Sequence, residues 1–194
     1  MQLTEKDLSE KLQMSRTPLR EAMIKLQNEG LVEIIPNKGM RVLPLSPEDM
    51  QDIYVVLTCV ESEAAALIAK QEVSASDLLP LRRATDDMEK AIETEDLDAW
   101  AEADERYHKE LLGLCRNKRL VTIARNFLDQ AFRARMFTLR LRKHPFLSTQ
   151  EHKDQIEAML EGDAAKVREI YRKHRERAAE ELVAILRKYR IYNI

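Results

Sequence analysis

The rhythm of apolar positions changes once along this chain, near residue 45. Before that point, residues 4–12 form an amphipathic helical pattern, followed by the two-residue turn Gln13-Met14 and a second helix over 15–29. In the second helix Leu19, Met23 and Leu26, with Ala22 beside them, recur at helical spacing and define the inward stripe. Ser15 stands where a capping side chain is expected, and Pro18 still falls in the first turn, where its missing N–H matters little. Gly30 stops the helix, and 31–35 and 40–43 read as two short strands around the turn Pro36-Asn37-Lys38-Gly39.

Beyond the extended linker Leu43-Pro44-Leu45 the pattern is helical throughout. Ser46-Pro47-Glu48-Asp49 combines a capping serine, a proline at the first helical position and acids in the first turn. Helices are predicted over 47–71, 76–94, 97–115, 118–142, 148–161 and 164–190. About six helices joined by short loops imply an antiparallel bundle. The expected fold class is therefore mainly α. A domain over 1–45, made of helix, tight turn, helix and β-wing, precedes an all-helical domain over 46–194.

The first domain has the layout of a winged helix-turn-helix. On its second helix Thr17, Arg20 and Ile24 point away from the inward stripe, and Arg16 lies at the exposed start. An arginine can bond two acceptors of a guanine edge or clamp a phosphate, so Arg16 and Arg20 are candidate DNA contacts. A solvated surface helix would carry similar arginines; the flanking helix, turn and wing favour DNA binding.

Composition changes this picture little. The chain has 194 residues, 44% hydrophobic and 34% charged, with a formal net charge of −2. That charge disfavours non-specific coating of nucleic acid. Residues 1–46 carry seven basic side chains against six acidic ones, so affinity must come from a local surface, doubled by dimerisation. The cysteines, Cys59 and Cys115, lie in apolar helical patterns without metal-type spacing and read as buried free thiols of a reducing compartment. No run reaches membrane-spanning length and no signal-peptide pattern opens the chain, so a cytoplasmic location is expected.

Four polar residues occupy positions that should be apolar. One helix has the inward stripe Leu97, Ala101, Asp104, His108, Leu111, Cys115; His152 extends the stripe of Ile156, Met159 and Leu160; His174 continues Val167, Ile170, Ala178 and Leu182. A buried carboxylate and three buried imidazoles are costly unless they satisfy one another or hold something. Asp104, His108, His152 and His174 together suit a divalent ion, zinc first, with nickel, manganese or iron as other candidates. His144 fits no stripe. On the helix of 118–142, Arg135 shares the apolar face of Ala124, Leu128 and Ala131, while Arg133 points outward. An inward arginine can hold the carboxylate of a small effector, or pair with an acid of the bundle.

The segment "LTEKDLSEKLQMSRTPLREAMIKLQNEGLVEIIPNKGMRV", with "DERYHKEL", "EHKDQIEAMLEGD" and the late His174, resembles the GntR family of bacterial transcription regulators. Within it the chain is similar to the FadR-type subgroup, whose helical, metal-containing effector domain is called FCD; six effector-domain helices resemble its VanR-like branch. The resemblance implies operator contacts at Lys6, Arg16, Thr17 and Arg20, a wing tip at Gly39, and metal ligands at Asp104, His108, His152 and His174. It also implies a homodimer on palindromic operator DNA and a small carboxylate metabolite as effector. Two departures stand out. The family's winged domain normally opens with a further helix, absent before "LTEKDLSEKL" here, which leaves one side of the first two helices uncovered. Where many members carry an arginine four residues before the glutamate matching Glu61, this chain has Leu57.

The expected function is a metabolite-responsive transcription regulator, a repressor, and not an enzyme. The rivals are a ligand-binding protein that does not bind DNA, lacking that first helix, and a metal-dependent hydrolase. Against the hydrolase, the inward faces show no obvious further carboxylate or histidine to act as general base.

Overall fold

The structure is a computed structural model that describes residues 2–36, 38–44, 46–142 and 145–189. Strand β1 (Gln2–Leu3) leads into α1 (Glu5–Leu12) and α2 (Arg16–Asn28), followed by β2 (Val32–Ile35) and β3 (Gly39–Val42). The three strands form one antiparallel sheet in the order β1-β3-β2, with Leu3 opposite Met40 and Ile34 also opposite Met40. β1 was not foreseen, because two residues carry no alternation from which to read a strand. Thr4 and Asp7 close a reciprocal capping box on α1. Ser15 does occupy the N-cap of α2, but its side chain makes no capping bond, contrary to expectation.

Leu8, Leu19, Met23, Val32 and Met40 close a small core. Ala22, placed on the inward stripe by its spacing, is exposed, so that stripe is narrower than expected. Leu12 and Ile24 remain more than half exposed, at 54% and 52%, which leaves the outer side of α1 and α2 partly uncovered.

Six α-helices follow: α3 (Pro47–Ala69), α4 (Leu79–Glu93), α5 (Leu97–Leu114), α6 (Lys118–Thr138), α7 (Phe146–Leu160) and α8 (Ala164–Lys188). α6 ends in a short 3-10 turn, Leu139–Leu141, inside the range predicted as continuous helix. α3 starts on the expected capping box, Ser46 with Asp49, and Pro47. It is the central rod, packed most extensively against α8 and α6 and lined with small residues, Ala64, Ala65, Ala66 and Ala69. Those alanines let neighbouring helices approach closely while larger side chains such as Leu57, Leu81, Met88 and Leu111 fill the core.

One expectation fails at the surface of this bundle. Cys59 is exposed, and only Cys115 is buried; both are free thiols. Arg133 lies off the buried face of α6, half-buried, and donates from Nη2 to the carbonyl of Leu43 at 2.7 Å. The linker after β3 offered an unpaired carbonyl, which sequence periodicity could not reveal.

Candidate functional site

Three helices converge on one buried cluster. α5 contributes Asp104 and His108, four residues apart and therefore side by side. α7 contributes His152 and α8 His174. All four are at most 3% exposed. The three imidazoles each offer a nitrogen within 4.8 Å of the others, and their ring centroids lie 4.5–6.0 Å apart. Asp104 Oδ1 lies 3.1 Å from His152 Nε2 and 3.7 Å from His108 Nε2.

The Nδ1 atom of every ring is already occupied. His108 Nδ1 is 2.7 Å from the Tyr171 hydroxyl, His152 Nδ1 is 3.1 Å from Gln155 Oε1, and His174 Nδ1 is 2.7 Å from Glu151 Oε2. The partners are themselves held. Tyr107 donates its hydroxyl to Gln155 Oε1 at 2.9 Å, and Arg177 grips both oxygens of Glu151. Such outer bonds fix ring orientation, with Nε2 of His152 and of His108 turned toward Asp104 Oδ1.

The protonation states suit a cation. Burial, then the charge of Arg175, holds His108 well below the usual histidine range, and burial with the neighbouring His152 lowers His174 to about 3. Burial opposes the charge on Asp104, but Arg135 and the imidazoles outweigh it and keep the carboxyl well below its usual range. Glu151 is likewise opposed by burial and lowered to about 2 by its bonds to His174 and Arg177. Imidazoles held neutral at His108 and His174, with His152 beside them and an ionised carboxylate at Asp104, form a buried donor set, oriented from behind, that fits a divalent metal.

Around this cluster lies an ionic network that sequence spacing showed only in part. Arg135, 4% exposed, faces Asp104 with Nη1–Oδ2 at 3.5 Å and pairs through Nη2 with Glu105. Its Nη1 makes no hydrogen bond. Arg175 donates from Nε to Glu61 Oε2 at 2.5 Å, and the Glu61 side chain is fully buried. Glu61 Oε1 reaches to 3.4 Å from His108 Nδ1. Burial raises the Glu61 pKa despite Arg175. Buried carboxylates therefore do stand on the inward faces, at Glu61 and Glu105, contrary to the sequence expectation. The signal for Arg175 was present: it falls four residues after Tyr171 on the stripe of Val167 and Leu182.

At the other end of the chain Lys6, Arg16, Arg20 and Gly39 line one open cleft of about 700 Å³, with Ile24, Ile35 and Lys38. Thr17 is exposed on the same turn of α2 as Arg16. Arg20 is not free in this state: its Nε donates to both oxygens of Glu5, at 3.0 and 3.2 Å. An exposed pair of this kind is worth about 0–1 kcal/mol and is readily exchanged for a phosphate. Gly39 has a structural reason to be glycine. Its φ is +89°, and a Cβ there would lie 2.1 Å from the carbonyl oxygen of Leu3.

No helix among the described residues is long and apolar enough to cross a membrane. Comparison with known proteins agrees with this geometry at both ends. Residues 1–42 match the bacterial regulatory proteins of the gntR family, and residues 52–177 match the FCD domain. An HTH-type transcriptional regulator from the TAR-I ttuE-ttuC′ intergenic region of Agrobacterium vitis is 44% identical over 113 residues, 57% of this chain and 66% of that relative. The Nta operon transcriptional regulator of Aminobacter aminovorans is 30% identical, covering 77% of this chain and 69% of its own length. The HTH-type transcriptional repressor RspR of Escherichia coli K12 is 26% identical over 92% of this chain and 78% of its own. Among solved structures, E. coli McbR/YncC shares the fold with a TM-score of 0.78 at 17% identity, over 97% of this chain and 88% of that one. The chain thus belongs to the GntR family of DNA-binding transcriptional regulators, in the group that carries an FCD domain, and is not an enzyme.

Proposed function

We propose that this protein is a metabolite-responsive repressor whose FCD domain holds a divalent metal through Asp104, His108, His152 and His174. The observation that carries the reading is the convergence of those side chains, each imidazole braced through Nδ1. The ion, zinc by the chemistry of this donor set, would supply a Lewis-acidic centre to which a small carboxylate can bind. Arg135 is placed to hold the same effector: its Nη1 is buried, lacks a hydrogen bond and faces Asp104. A guanidinium there recognises a carboxylate with matched geometry. The six helices α3–α8 favour the VanR-like branch.

At the DNA end, Arg16 and Arg20 read base edges or clamp phosphates from α2, with Thr17 beside them. Lys6 adds a backbone contact, and Gly39 keeps the wing close to β1. Two copies related by a two-fold axis place two such helices on the halves of a palindromic operator, in the cytoplasm where the DNA lies. The boundary between the two domains is placed at residues 45–46.

Two measurements test this reading. Metal analysis of purified protein should find close to one divalent ion per chain, lost in a His108→Ala/His174→Ala variant; unchanged content in that variant would refute the ligand set. Selection from random duplex DNA followed by gel shift should recover a palindrome whose binding is lost in Arg16→Ala/Arg20→Ala. Failure to enrich any sequence would favour a ligand-binding protein without DNA recognition.

A further inference from the structure

Helix α6 faces two ways. Its inner face carries Arg135 into the ionic network around Asp104. Its outer face carries Gln130 and Arg133, one helical turn apart, to the base of the winged unit. Gln130 Nε2 donates to the carbonyl of Glu29 at 2.8 Å, and Arg133 Nη2 donates to the carbonyl of Leu43 at 2.7 Å. Glu29 is the C-cap of α2, and Leu43 follows directly on β3. These two points are themselves close, because the Leu43 N–H donates to the carbonyl of Leu31 at 3.0 Å. The neck is also shaped around α6. Gly30 has φ +70°, and a Cβ there would lie 3.0 Å from Gln130 Nε2.

We propose that α6 is the coupling element between sensor and DNA reader, with Gln130 and Arg133 as the positioning residues that transmit its movement. The inference rests on the metal-holding role proposed for Asp104. That carboxylate is shared: Oδ2 faces Arg135 while Oδ1 lies against the histidine cluster. When Asp104 turns its charge to a cation, Arg135 loses part of its partner and re-seats on Glu105, to which it is already paired. A hydrogen-bonded helix moves as a rod, so a shift at Arg135 is carried to Gln130 and Arg133 without a chain of intermediate contacts. Both side chains grip backbone carbonyls, and a displaced α6 therefore drags the end of α2 and the root of the wing together.

Hydrogen–deuterium exchange on the full chain tests this, with zinc alone as the probe added to chelator-treated protein. In the wild type zinc should slow exchange in α7 and α8 and change it at residues 29–35 and 39–43 by about fivefold or more, the lower range of ordinary allosteric coupling. In Gln130→Ala/Arg133→Ala the response at 29–43 should disappear while that in α7 and α8 persists; Arg133→Lys, which keeps a donor, should retain part of it. A wild-type neck indifferent to zinc, or a neck response that survives in the double variant, overturns the coupling role while leaving the metal site intact. No zinc effect on α7 and α8 overturns the metal reading itself, and the coupling with it.

Discussion

Replacing Arg175 by methionine should be among the most damaging single changes to the FCD bundle that leave all four proposed metal ligands in place. Arg175 and Glu61 are 1% and 0% exposed and joined by a 2.5 Å hydrogen bond from Nε. Methionine refills most of the aliphatic volume, so packing loss is minor, but Glu61 is left as a buried carboxylate without its cation. Burial already pushes the Glu61 pKa upward in the presence of Arg175, so without it the group must be protonated or hydrated. Breaking one side of a buried pair costs about 3–5 kcal/mol. For a chain of this size each kcal/mol is worth roughly 2–4 °C, so the midpoint should fall by roughly 6–20 °C. Replacing both partners, Glu61→Leu with Arg175→Met, should recover most of that loss, because the desolvation cost goes with the charges. The assay is urea and thermal unfolding followed by circular dichroism in chelator, since Glu61 also lies 3.4 Å from His108 and bound metal would add its own stability. A single variant that loses less than about 1 kcal/mol, or a double variant as unstable as the single one, would refute the reasoning.

Three further outcomes are expected. Glu151→Gln should weaken zinc binding about 10–100-fold by calorimetric titration, because it removes the charged brace behind His174; unchanged affinity would show that Arg177 and Glu151 serve stability alone. Gly39→Ala should open the three-stranded sheet, with about 1–3 kcal/mol from the left-handed backbone and more from the clash with Leu3. Exchange protection would then fall in β2 and β3 but not in α3–α8, and retained protection in both strands would contradict the close approach of β1. Metal-stripped protein should lose stability as pH falls through the window from the ordinary histidine value of 6.5 toward about 3, since His174 stays neutral in the fold while the unfolded chain binds the proton. His174→Gln should flatten that slope in pH-dependent urea midpoints, and an unchanged slope would assign it elsewhere.

Much of this architecture was legible in the residues. Capping and breaking signals such as Ser46-Pro47, Asn117 and Gly162-Asp163 set the helix boundaries within a few residues, because these side chains satisfy free backbone groups locally. The metal-suited cluster was legible because a histidine on an apolar stripe is conspicuous, and three such stripes are more so. What escaped notice depends on tertiary pairing. Glu61 sits in an alanine-rich helix where its role depends on Arg175, which lies 114 residues away. Arg133 reads as a surface residue until the carbonyl of Leu43 is brought to it. Cys59 follows an apolar pattern, yet the bundle leaves that stretch of α3 open to solvent.

The placement of the four clustered side chains on α5, α7 and α8 has a consequence for how the protein comes into being. Asp104 and His108 leave the ribosome early, but the third imidazole, His174, belongs to the last described helix. An ion cannot be fully enclosed until that helix has docked along α3. If the proposed ion is bound, its tight retention would therefore report synthesis through α8: nascent fragments that stop short of that helix would hold it loosely.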